Sequence, residues 1–245
     1  MSHRKARFVK SYLLLLLPAL LTACSTPAPY ATTVGILKPG KTMTVRVENA
    51  TVNVYQPASG QRRDSFTIEA TAPRGSPPPA PRVRAVAGGV AVSAKGRLAT
   101  LLVRVPDGTS LSVESERGDV NVTDISGNAR VTAGSGNVRI MLPGYAQAAV
   151  GNGTVAVTMG ATQWPGTLRF SSGGGDVEVR ISAKASFNAH LHTDSGTLYT
   201  DFGLRGTSNG SAETIDGSVN GGGGHGIDIR TSSGAVRLLK LQPQP

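Results

Sequence analysis

Between residues 118 and 238 a unit of the form Gly-x-Val-x-Val/Ile/Leu recurs, in some copies partial. The copies are Gly118-Asp119-Val120, Gly136-Asn137-Val138, Gly153-Thr154-Val155, Gly175-Asp176-Val177, Gly196-Thr197-Leu198, Gly217-Ser218-Val219 and Gly234-Ala235-Val236. Their glycines are 18, 17, 22, 21, 21 and 17 residues apart. Self-similarity near 20 residues is the mark of a solenoid. Most copies alternate onward, as in Val120-Asn121-Val122 and Val138-Arg139-Ile140. In a strand this puts the aliphatics on one face and the polar residues on the other. One such strand cannot bury its apolar face alone, whereas turns stacked at ~4.8 Å bury a continuous strip. Glycine opens each copy where the corner needs a positive φ or a close backbone approach. Val120, Val122, Val138, Ile140, Val155, Val157, Val177, Val179 and Val236 are therefore expected to share one core.

The rest of the chain reads the same way. Residues 43–47, 51–55, 66–70, 82–86, 90–93 and 99–105 alternate like short strands. Residues 74–82 hold four prolines in nine positions and can only be a loop. No window outside the first 24 residues has a helical period. One Trp, five Tyr and five Phe among 245 residues exclude a core built mainly on rings, and a narrow coil has little room for them. The expected fold is all-β, a β-solenoid of stacked short-strand rungs with an N-terminal β-rich region.

The first residues carry a different message. Arg4, Lys5, Arg7 and Lys10 precede an apolar run from Tyr12 to Leu21. The run is too short to span a bilayer but suits a secretory signal. It ends in Leu21-Thr22-Ala23-Cys24, and Cys24 is the only cysteine. One cysteine excludes an internal disulfide framework and a cysteine-cluster metal site. This segment resembles the lipobox of bacterial lipoproteins. The resemblance implies cleavage before Cys24, lipidation of its thiol and acylation of the new amine. Ser25 in place of Asp implies outer-membrane delivery in a Gram-negative cell. Losing the four basic residues takes the formal charge from +10 to +6. Nucleic acid is not a natural partner for such a chain, whereas anionic headgroups, lipopolysaccharide and peptidoglycan are at hand.

The expected organisation is a signal peptide over 1–23 and a semi-extended tether over 24–33. An N-terminal β region over 34–110, with its proline-rich loop at 74–82, leads to solenoid repeats over 111–241. Leu102-Val103-Arg104-Val105-Pro106-Asp107-Gly108-Thr109, Ser115-Glu116-Arg117-Gly118-Asp119-Val120 and Ile227-Asp228-Ile229-Arg230-Thr231-Ser232-Ser233-Gly234 resemble the adhesin-type β-helical domains of bacteria, whose function is uncharacterised. The resemblance spans roughly Val83 to Leu241 and implies the fold more than a ligand. The proline loop and the glycine loop around Gly221 depart from its pattern.

Several clusters invite chemical readings. His190 and His192 share a strand face with Asp194 nearby, a conceivable metal site, but His225 sits far along the chain in a glycine loop. Gly173-Gly174-Gly175-Asp176 is similar to a calcium-binding turn but lacks the tandem nonapeptide. Gly221 to Gly226 lacks the Lys-Ser/Thr of a phosphate loop. Asp176 and Glu178, ~6.5–7 Å apart on a strand face, match the carboxylate spacing of inverting glycosidases, as any outward i, i+2 pair does. Ser195 has His192 and Asp194 only as sequence neighbours, which does not make a triad. No catalytic, metal or cofactor site is expected; the one assigned site is lipidation at Cys24.

The expected function is a non-enzymatic, lipid-anchored envelope protein. Its outward Arg139, Arg180 and Arg237 would bind an anionic envelope polymer or a protein partner. The alternatives are a carbohydrate-active β-helix enzyme and a structural partner that assembles through an open solenoid end. The oligomeric state stays open.

Overall fold

The computed structural model describes residues 30–57, 64–73 and 77–242; the signal segment, Cys24 and residues 74–76 of the proline loop lie outside the described residues. The N-terminal region forms β1 (Tyr30–Ile36), β2 (Thr42–Tyr55), β3 (Ser65–Thr71), β4 (Arg82–Val86) and β5 (Gly89–Arg104). Each repeat glycine except Gly217 then separates two strands. β6 (Ser110–Arg117) and β7 (Val120–Thr123) flank Gly118; β8 (Ala129–Ser135) and β9 (Val138–Leu142) flank Gly136. β10 (Ala146–Asn152) and β11 (Val155–Met159) flank Gly153; β12 (Thr167–Ser172) and β13 (Val177–Ile181) flank Gly175. β14 (Phe187–Ser195) and β15 (Leu198–Thr200) flank Gly196, and β16 (Gly206–Asn209) and β17 (Ala212–Val219) form a hairpin. β18 (Gly226–Ser233) and β19 (Val236–Lys240) flank Gly234.

Like strands stack on like strands. The strands before the corner form one ladder in the order β4, β5, β2, β6, β8, β10, β12, β18, β14, β17, β16. Those after it form a second in the order β1, β3, β5, β2, β7, β9, β11, β13, β19, β15. The long strands β2 and β5 run past the corner and serve both. Pairing is parallel throughout the coil, as successive turns of a solenoid require, and antiparallel only at its ends. The all-β solenoid read from the repeats is the fold.

Two details revise the sequence reading. Rungs are not stacked in chain order at the C-terminal end. The chain passes from β12–β13 to the outermost β14–β15, makes the hairpin, and returns to slot β18–β19 between them. The other end has the same device, with β2 between β5 and the β6–β7 rung. Second, Gly217 opens no rung. It lies inside β17, antiparallel to β14, and its missing Cβ faces the Leu204 side chain. The pattern Gly-Ser-Val is common to a corner and a hairpin strand, so spacing alone could not separate them.

The ladder also crosses residue 110 without a break, since β2 pairs Thr42–Val47 with Ser110–Ser115. β1 takes in residues 30–33, the end of the stretch read as tether. At the ends, β4 and the β3–β1 pair cover one side, and β17–β16 cover the first ladder on the other. Such caps blunt edges that would otherwise recruit more strands. β15 ends its ladder without an antiparallel cap, and there Glu213 Oε2 accepts the Leu198 N–H at 2.9 Å.

All nine aliphatics expected inside are at most 2 % exposed and belong to one cluster. Gly118, Gly136, Gly153, Gly175, Gly234 and Gly196 have φ between +110° and +159°. They also stack as a column. A Cβ on Gly136 would lie 2.4 Å from Gly118 O, one on Gly153 2.0 Å from Gly136 O, and one on Gly196 1.9 Å from Gly234 O. Close approach and positive φ are thus both required. Inside the corner, Ser172 Oγ donates to Gly153 O at 2.7 Å and Thr231 Oγ1 to Gly175 O at 2.8 Å, which explains two buried hydroxyls in an aliphatic core.

Candidate functional site

Of the residues weighed as catalysts, Asp176 is engaged in holding rungs together and Glu178 in an ion pair within its own strand. The residue after a corner glycine repeatedly accepts a hydrogen bond from the next rung. Asp119 Oδ1 accepts from Asn137 N at 2.7 Å, Asn137 Oδ1 from Thr154 N at 3.1 Å and Thr154 Oγ1 at 2.8 Å. Asp176 continues this column: its Oδ1 accepts from Ala235 N at 2.8 Å and its Oδ2 lies 3.3 Å from an Arg237 nitrogen. Glu178 pairs with Arg180 at 2.7 Å. The carboxylate that looked like half of a glycosidase pair is a backbone cap. The same contact gives the Gly173–Asp176 turn a structural use.

The outward column of the second ladder runs Asn121, Arg139, Ala156, Glu178, Arg237, Tyr199. Of the three arginines expected to attract an anionic partner, Arg180 and Arg237 are neutralised by Glu178 and Asp176. Arg139 makes no ion pair among the described residues.

The exchange of rungs builds a different feature on the outer face of the first ladder. β12, β18, β14 and β17 lie side by side and line an open groove of about 520 Å³. Arg169, Asp228, His190 and Asp216 stand in one row across it. Asp228 accepts from Arg230 Nε at 2.7 Å and lies 4.0 Å from Arg169 Nε. That hydrogen bond raises the Arg230 pKa above its ordinary value. His190 Nδ1 is 2.6 Å from Asp216 Oδ1. The His190 and His192 rings stack at 6.4 Å and 7°, as their spacing on one face implies. His192 meets Asp194 Oδ1 and Thr214 Oγ1, each at 3.0 Å, so its contacts are with these residues and not with Ser195.

The glycine loop Gly221–Gly226 brings His225 to this same groove, which its distance in sequence hid. Its ring lies 5.8 Å from Trp164, whose Nε1 donates to Gly226 O at 3.0 Å. His225 Nδ1 is buried without a hydrogen-bond partner. Among the described residues, no group of three or more His, Cys, Asp or Glu side chains is placed to hold a metal ion. The groove is open and polar, without an enclosed apolar chamber of the kind that surrounds small ligands. It suits lateral contact with something extended.

Arg169, Asp228, Arg230 and Asp216 escaped the sequence reading because the Gly-x-Val unit marks the strand after the corner. The strand before it has its own signal, an alternation such as Leu168-Arg169-Phe170 or Ile227-Asp228-Ile229.

The coil is similar in shape to a candidate cell adhesion protein from Clostridium sporogenes, at a TM-score of 0.50 and 10% identity, covering 86% of this chain and 100% of that one. A candidate adhesin from Bacteroides fragilis aligns at 9% identity and TM-score 0.30 over 86% of this chain and 97% of its own. One from Parabacteroides merdae aligns at 8% and 0.27 over 88% and 98%. No curated protein matches the sequence. The family described as Toastrack DUF4097 matches residues 88–239, from β5 to β19, more than half of the chain. Among the described residues, no helix is long and apolar enough to cross a membrane. The parallel coil, its glycine corners and the sequence match agree, and the chain belongs to the Toastrack DUF4097 family.

Proposed function

We propose that this chain is a non-enzymatic, lipid-anchored envelope module that binds an envelope polymer or a protein partner along the outer face of its first ladder. The anchor is Cys24, and the outer membrane of a Gram-negative cell is its location. The observation that carries the binding face is the open groove with Arg169 and Arg230 at 72 % and 58 % side-chain exposure around one shared Asp228. Asp216 lies in the same groove, so its arginines and carboxylates balance formally; what a partner meets are the two exposed guanidiniums on a rigid lateral surface. Non-catalytic action is supported by the engagement of Asp176 in the contact between rungs and of Glu178 in an ion pair with Arg180. The adhesion descriptions of its structural neighbours point the same way.

Exposed charges are screened within ~8–10 Å at ordinary salt, so binding is expected to be weak and salt-sensitive. The chain should retain peptidoglycan or lipopolysaccharide at about 50 mM salt and release it by about 300 mM. Retention indifferent to salt contradicts the electrostatic face. Hydrolysis of either polymer that disappears in Asp176→Asn or Glu178→Gln would instead establish the enzyme. For the anchor, metabolic labelling with a fatty acid should mark the wild type and vanish in Cys24→Ala. Normal labelling of that variant excludes Cys24 as the anchor.

A further inference from the structure

We propose that the polymer bound on the first ladder is an acidic linear glycan, laid along the coil axis with its acid groups on Arg84, Arg130 and Arg169. This rests on the polymer-binding reading above and names its ligand class.

The register of the first ladder brings these three arginines, distant in sequence, into one outward row. Arg84 on β4 leads through an alanine on β5 to Thr44 on β2, Ser112 on β6 and Arg130 on β8. Gln147 on β10 pairs with Arg130, and Arg169 on β12 follows by the same register. Across these seven strands the row holds no acidic residue. All three arginines are exposed. Arg84 and Arg130 make no ion pair among the described residues, and Arg169 only approaches Asp228 at 4.0 Å. At ~4.8 Å per strand the row is ~29 Å long, with Arg130 and Arg169 ~10 Å apart and Arg84 four strands before Arg130.

Cations so spaced point to a ligand that carries acid groups at intervals. A guanidinium matches a carboxylate or phosphate through two parallel hydrogen bonds. Between the cations stand Thr44, Ser112 and Gln147, neutral groups that can bond hydroxyls. The neighbouring row adds Thr42, Ser110 and Thr167, also uncharged. A chain of hydroxylated units with periodic acids matches that alternation; a uniformly charged polymer would leave the hydroxyl rows unused. The row also lacks the aromatic platforms on which single-stranded nucleic acid stacks. Each exposed contact is weak, so affinity must come from several engaged on one chain.

Polygalacturonate, which bears one carboxylate per sugar, is the probe, with dextran as the neutral polymer, long-chain polyphosphate as the hydroxyl-free polyanion and phosphatidylglycerol vesicles as the anionic surface. The full-length chain should bind polygalacturonate above all three at about 50 mM salt. Arg130→Gln combined with Arg169→Gln should weaken it about tenfold and flatten its salt dependence, two exposed contacts together being worth about one decade. Arg139→Gln, on the second ladder, should change it less than about twofold. Unchanged thermal melts establish that the variants are folded. Equal loss in both variants, or none in the double one, overturns the assignment of the row. Preference for polyphosphate, dextran or the vesicles overturns the ligand class. If peptidoglycan or lipopolysaccharide is still retained in that case, the polymer-binding reading survives; if nothing is retained, both fall.

Discussion

Val138→Asp should destabilise the coil by about 4 kcal/mol or more, and lower its melting temperature by about 10 °C. Val138 is 1 % exposed and sits mid-ladder, with Val120 on one side and Val155 on the other. A carboxylate there has no water and no partner within an aliphatic strip, so it must be buried charged or take up a proton at a cost. Asn137→Asp, one residue away, should cost about 0.5 kcal/mol or less. Its Oδ1 serves only as an acceptor to Thr154, a role a carboxylate keeps. Thermal melts of the two variants measure the difference; equal stability would mean that the strand's faces are reversed.

Gly153→Ala should cost about 3 kcal/mol, although it adds a single methyl group. Two effects coincide. At φ +145° an L side chain is strained, and its Cβ would sit 2.0 Å from Gly136 O, a backbone atom held by the neighbouring rung. Relief would require the rungs to separate at the corner, breaking the parallel pairing on both sides. Gly166→Ala is the matched control. Its φ is +63°, but nothing lies within 4 Å of its Cβ position, so only the backbone strain of about 1 kcal/mol remains. Denaturant melts should separate the two clearly, and equal costs would mean that the corner column has slack.

The sequence made the rung legible because both of its determinants are local. Alternation of Val120 and Val122 sets a face, and Gly118 sets a corner, within five residues. The order of rungs was not legible. β13 accepts β19 as readily as β15 in terms of pattern, since Val236-Arg237-Leu238 and Leu198-Tyr199-Thr200 both offer apolar, polar and small or apolar positions in turn. The choice depends on the β16–β17 hairpin, which pairs with β14 and extends the first ladder beyond it. The electrostatics were hidden for the same reason. Arg237 looked free in the sequence, and becomes the partner of Asp176 only because its rung is slotted beside the one that holds Asp176. His225 reaches the groove through the same return of the chain.

The groove and the Asp176–Arg237 pair of the second ladder therefore rest on rungs exchanged at the C-terminal end. Disulfide formation tests that exchange most directly. In a chain with Cys24→Ser, the pair Ser171→Cys and Arg230→Cys places cysteines on adjacent strands, since Ser171 pairs with Arg230. Adjacent strands bring Cα atoms to ~4.8 Å, inside the range a disulfide spans. Ser171→Cys with His192→Cys lies two strands apart, ~9.6 Å, beyond that range. The exchanged coil predicts rapid oxidation of the 171–230 pair and none of the 171–192 pair in the folded chain. Efficient 171–192 cross-linking with a free 171–230 pair would mean that the rungs stack in chain order, and would contradict the account.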